Sequence, residues 1–80
     1  MGLRARFSAN PDKVRNKAAA RLGRVDKGVV LDHLDAAMSG AWKAAEDFRK
    51  DELAVYLDEA ERGLQQALGA LDALRQRAGA

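Results

Sequence analysis

The run "RKDE", residues 49–52, decides how the rest of the chain is read. Upstream of it, apolar residues fall at Val30, Leu34, Ala37, Ala41, Ala45 and Phe48, with Leu31, Met38 and Trp42 widening the same side of a helix. Downstream, Leu53, Leu57, Ala60, Leu64, Ala67, Leu71, Leu74 and Ala78 follow a strict 4-3-4-3 spacing. Carried straight through residues 49–52, the first stripe would continue to Val55 and Glu59, about 200° around the cylinder from the second. A single rod would then carry two apolar sides facing opposite ways and would need a partner on each. A turn near Arg49 to Asp51, with Asp51 capping the next helix, lets both stripes share one core, and is the expected reading.

In the C-terminal stripe, Leu57, Leu64, Leu71 and Ala78 take heptad position a, and Leu53, Ala60, Ala67 and Leu74 take d. The flanking e and g positions include Ala54, Tyr56, Gly63, Leu68 and Ala70, where a two-stranded zipper would show charges. So broad an apolar side suits a helix in a bundle. Farther upstream, Asn10-Pro11-Asp12 is a strong helix start: an N-cap, a proline at the first helical position and an acid beside the positive dipole end. The helix it opens carries Val14, Ala18, Leu22 and Val25 on one stripe and Lys13, Lys17, Arg21 and Arg24 on another about 100° away. Gly23 ends it, with Gly28 as a second stop, and Asp26 caps the next, with one bent helix over residues 12–38 as the alternative. Ser39-Gly40 offers a further break, because glycine inside a helix costs about 1 kcal/mol relative to alanine.

The expected architecture is all-α: an antiparallel helical hairpin or three-helix bundle with a long heptad-patterned C-terminal helix. A flexible arm over residues 1–9 precedes a single helical domain over 10–80, with helices at about 11–23, 28–49 and 51–78. Composition agrees. Of the 80 residues seventeen are Ala, five Val are the only β-branched residues, and Ile and Thr are lacking altogether. The richness in Ala, Gly and Arg is what a GC-rich coding sequence gives, so an accessory or regulatory protein of a GC-rich bacterium or its phage is expected.

Function classes narrow quickly. With no cysteine there is neither a disulfide framework nor a thiolate metal site. His33 is the only histidine, in "LDHLD" over residues 31–35, and lacks the further ligands a metal needs. Glu46, Asp47, Asp51 and Glu52 sit beside Arg49 and Lys50 and read as a solvated, self-neutralising turn. Hydroxyls are confined to Ser8, Ser39 and Tyr56, and no glycine loop cradles a phosphate. An enzyme is therefore not expected, nor a metal or other cofactor. No apolar run approaches the roughly 18 residues a bilayer span needs and no signal-peptide core is present, so a cytoplasmic location is expected and membrane attachment is not.

Two binding roles remain. The first is protein–protein interaction, with the chain itself as the expected partner in a homo-oligomer. The self-association face is then Leu53, Leu57, Ala60, Leu64, Ala67, Leu71 and Leu74. Trp42, Phe48 and Tyr56 are expected in the core, and together with Val55 they are the candidate hot spots wherever they reach the surface. The alternative is nucleic-acid binding. Residues 1–27 hold eight Lys/Arg against two Asp, and residues 28–80 hold six against ten Asp/Glu. Arg4, Arg6, Lys13, Arg15, Lys17, Arg21 and Arg24 would contact phosphates in that reading.

Overall fold

A computed structural model describes residues 11–79 of the chain. Three helices follow one another: α1 (Pro11–Leu22), α2 (Lys27–Asp51) and α3 (Ala54–Gly79). The fold is a small all-helical bundle. The expected arm over residues 1–9 and the Asn10 cap lie outside the described residues.

Local chemistry sets each boundary. α1 ends where Gly23 donates its N–H to the Ala19 carbonyl at 2.9 Å, and the chain turns over residues 23–26. Asp26 caps α2, its Oδ2 accepting from the Gly28 N–H at 2.9 Å. α2 then runs through Ser39-Gly40 without a break. The second turn is tighter and later than the charge run implied: α2 continues to Asp51, and the reversal is made by Glu52 and Leu53 alone. Asp51 is thus the last residue of α2 and not the cap of α3. Glu52 carries the reversal in the left-handed region, at φ 54° and ψ 35°, while its N–H closes onto the Phe48 carbonyl at 2.7 Å.

α3 is the central element. α2 packs antiparallel along it, bringing Gly63 against Ala37 and Ala41, and Val30 into a cluster with Ala70 and Ala73. α1 lies along a different side of α3, with Gly69 against Arg15 and Ala18. α1 and α2 meet chiefly near their connection, where Leu22 joins the same cluster as Val30.

The side of α3 that meets α2 differs from the expected a and d seam. Gly63, Ala67 and Ala70 are buried and Tyr56, Ala60 and Leu74 half-buried, which are the d and g positions of the heptad. The a-position leucines Leu57 and Leu64 are half exposed. Glycine explains the rotation: a Cβ on Gly63 would stand 3.0 Å from the Ala37 carbonyl oxygen and 3.1 Å from the Ala41 Cβ. Backbones come that close only where small residues face each other, whereas leucines at the seam would hold the helices apart. α2 is rotated in the same sense. Ala44 is buried and Ala45 exposed, and Leu31, Met38 and Trp42 stand out in solvent.

Candidate protein interaction face

The turns and glycine contacts together fix which flank of each long helix remains open. A shallow groove lined by Ala18, Arg21, Leu22, His33, Ala36, Ala37 and Gln66 places α1 over one flank of the α2–α3 pair. On α2 that flank carries His33, Ala36 and Ala37; Leu31, Met38 and Trp42 fall on the other, roughly 100° beyond the buried stripe of Val30, Ala41 and Ala44. On α3 the same rotation, read for an antiparallel helix, carries Leu57, Leu64, Leu68 and Leu71 to that second flank, next to Leu31, Met38 and Trp42. The two flanks therefore form one apolar face on the side of the hairpin away from α1.

Exposure along this face is high for its composition. Trp42 is 67% exposed, Met38 54%, Leu64 53%, Leu57 50% and Leu31 44%. Leu53 in the turn is 52% exposed, and Leu68 and Leu71 are half-buried. The residues enclosed within the bundle are by contrast small: Ala18, Ala41, Ala44, Ala67, Ala70 and Ala73, with Leu22 and Val30 the larger ones. No family model, curated protein or solved structure matches this chain. What the surface can do has to be read from its own chemistry.

The expected self-association face divides in two. Ala67 is buried inside the bundle, Ala60, Leu71 and Leu74 are half-buried, and Leu53, Leu57 and Leu64 remain at the surface. Among the candidate hot spots, Trp42 is the most exposed, in place of the core position expected for it. Phe48 and Tyr56 are half-buried near the tip of the hairpin. Val55 is 52% exposed, but the helical period sets it on the α1 side of the hairpin, apart from Trp42. Leu31, Met38 and Leu68 complete the face. Their signal in the sequence was the excess width of each apolar stripe, which a bundle helix uses inward and this one does not.

The charges have their own order. Arg15 is not an open cation: its Nε and Nη2 donate to the two carboxylate oxygens of Asp72 at 2.6 and 2.9 Å, a bidentate pair tying α1 to α3. The hydrogen bond from Arg15, joined by the charges of Arg15 and Arg75, holds the Asp72 carboxyl below the usual range, and burial opposes it. Arg75 Nη1 stands 3.6 Å from the same carboxylate, and Arg77 reaches the Gly23 carbonyl at 3.4 Å. Lys13, Lys17 and Arg21 are exposed along α1 and Arg24 in the turn that follows it, while Arg4 and Arg6 lie outside the described residues. Around the opposite end, Tyr56 is pushed up by desolvation and by the nearby carboxylates of Asp51, Asp47 and Glu59. Among the described residues no group of His, Asp and Glu could hold a metal ion, and no helix is long and apolar enough to cross a membrane.

Proposed function

We propose that this chain is a non-enzymatic helical interaction module that associates with a second copy of itself through the open face of Leu31, Met38 and Trp42 on α2 and Leu57, Leu64, Leu68 and Leu71 on α3. One observation carries the reading: the bundle encloses mostly alanine and glycine and leaves Trp42, Met38 and several leucines outside. Burying a large apolar side chain contributes about 1.5 to 3 kcal/mol, so a fold that leaves this many half in water forgoes part of its hydrophobic stabilisation until the face is covered. A chain of this length has little stability to spare. Continuous apolar surface of this kind marks an interaction site on a small protein.

Trp42 reports on the face directly, because it is the only tryptophan in the chain. Its emission is expected to be that of a solvated indole in dilute solution and to shift to the blue as concentration rises into the micromolar range. Leu64→Glu removes the shift. An emission maximum that stays constant over the whole concentration range contradicts self-association.

A second reading is favoured by the exposed row Lys13, Lys17, Arg21 and Arg24. It would bind nucleic acid through phosphates, with a log–log salt slope of about −0.9 for each one contacted on duplex DNA. A gel shift at low salt that is lost in Lys17→Glu/Arg21→Glu and kept in Leu64→Glu would establish it in place of the first.

A further inference from the structure

We infer that the flank where α1 overlies the α2–α3 hairpin is a docking track for the phosphate backbone of duplex nucleic acid, laid along the groove that Arg21, His33 and Gln66 border and continued by Lys43 and Arg62. This rests on the second reading above and extends its site from one helix to three. The sign of the charges along the flank and the size of the side chains between them carry it.

All three helices line the groove, and no carboxylate is among its residues. Each wall is prolonged by cations at the helical period. On α1, Lys17 stands one turn before Arg21 and Lys13 one turn before that, with Arg24 in the turn just beyond. On α2, Lys43 falls within about 20° of the groove residue Ala36, two turns on. On α3, Arg62 falls within about 40° of the groove residue Gln66, one turn nearer the tip. All six cations are exposed, and none of them stands in an ion pair among the described residues. The neighbouring acids are turned elsewhere or engaged. Asp32 and Asp35 lie about 100° and 160° around α2 from His33, and Asp12 lies about 180° around α1 from Arg21. Asp26 is engaged as the cap of α2, and Asp72 takes Arg15 on the far side of α1, where it lines a separate groove with Asn16, Ala19 and Ala20. Carboxylates return at Asp47, Asp58 and Glu59, one turn past Lys43 and Arg62 towards the tip.

Side-chain size separates this flank from the apolar face opposite. Between the cations lie Ala36, Ala37 and Gly40, and among the described residues Val29 is the one exposed large hydrophobic side chain there. A protein partner draws its affinity from aromatic and aliphatic anchors, which this flank lacks. A phosphate backbone needs positive charge and close approach, and a row of cations over small residues supplies both. His33 and Gln66 add hydrogen-bonding groups at the centre of the track. Arg77 marks its far end, reaching the first turn at the Gly23 carbonyl. From Arg62 to Arg77 the track spans about 22 Å at 1.5 Å per residue, the length of about six base pairs at 3.4 Å each. With no aromatic side chain on the flank to stack against unpaired bases, it grips the backbone without reading sequence and favours a duplex over a single strand.

Two double variants with the same change in net charge separate the track from bulk charge. Lys43→Gln/Arg62→Gln removes two cations from it. Arg49→Gln/Arg75→Gln removes two from the opposite flank, where they stand beside Glu46 and Asp72. All four positions are exposed, and circular dichroism checks that both variants fold as the parent does. Fluorescence anisotropy with a labelled DNA duplex of about 20 base pairs measures affinity from about 50 to 200 mM salt. The parent chain should give a log–log slope of about −5, for six phosphates at about −0.9 each, and Lys43→Gln/Arg62→Gln a slope of about −3.6. Arg49→Gln/Arg75→Gln should keep the parent slope. Equal losses in the two variants, or a loss in neither, overturn the three-helix track; the second reading then stands on α1 alone where Lys17→Glu/Arg21→Glu still abolishes binding. No binding by the parent chain at the lowest salt overturns both. Displacement of the duplex by polyglutamate at equal charge concentration assigns the flank to an acidic protein and overturns the nucleic-acid inference.

Discussion

At the scale of single residues, glycine and one ion pair hold the bundle together. Gly69 sits where a Cβ would come 2.5 Å from the Arg15 carbonyl oxygen and 2.6 Å from the Ala18 Cβ, so α1 must move to admit even a methyl group. Gly40 lies in mid-helix with nothing within 4 Å of the same construction. Alanine at the two positions is therefore expected to act in opposite senses. Gly40→Ala should stabilise by up to about 1 kcal/mol through helix propensity. Gly69→Ala should destabilise by about 1 to 3 kcal/mol as overpacking outweighs that gain. Urea unfolding followed by circular dichroism measures both. Asp72 supplies a pH dependence. Its folded-state pKa is depressed, so its contribution is fully present above the ordinary carboxylate value and is lost as pH falls below about 4. Thermal unfolding of Asp72→Asn should show a lower midpoint at neutral pH and a shallower fall below about pH 4 than the parent.

At the scale of elements, the turn between α2 and α3 is held by a residue that disfavours its own conformation. Glu52 occupies the left-handed region, which costs a non-glycine residue about 1 to 2 kcal/mol and costs glycine little. Glu52→Gly should therefore stabilise by about 0.5 to 1 kcal/mol, after the greater freedom of glycine in the unfolded chain is subtracted. Asp26→Ala should cost about 1 kcal/mol by leaving an N–H of the first turn of α2 without its carboxylate. Both are measurable in the same unfolding assay. The two caps differ in how plainly the sequence announces them. Asp26 follows a glycine-bearing turn and precedes an apolar stripe, so the start of α2 was legible. The α2–α3 reversal was legible as a necessity, because two stripes about 200° apart cannot share a core on one straight helix. Its position was not, because Glu52 carries no mark of a left-handed cap and the dense charges of residues 46–52 are compatible with helix or turn. The seam of α3 was misassigned for a related reason. A heptad rule ranks leucine above glycine, and backbone approach at Gly63 and Gly69 reverses that ranking here.

At the scale of the whole molecule, side-chain size is distributed in a way that points outward. The molecule spans 42 × 30 × 15 Å along its principal axes, and the close approach of the helices at Gly63 and Gly69 leaves room for small residues alone between them there. The face opposite α1 collects what the interior cannot hold. Trp42→Glu and Leu64→Glu place a charge at the centre of that face without touching the intramolecular packing of Gly63, Ala67 and Ala70. Each should leave the helical circular dichroism signal in place and weaken self-association by at least tenfold, equivalent to about 1.4 kcal/mol. Sedimentation equilibrium of the full chain, from low to high micromolar concentration, tests the central claim most directly. The expected result is a mass that rises with concentration towards twice the monomer value of 8.7 kDa. A constant monomer mass across that range, in the parent chain as in Leu64→Glu, would contradict it.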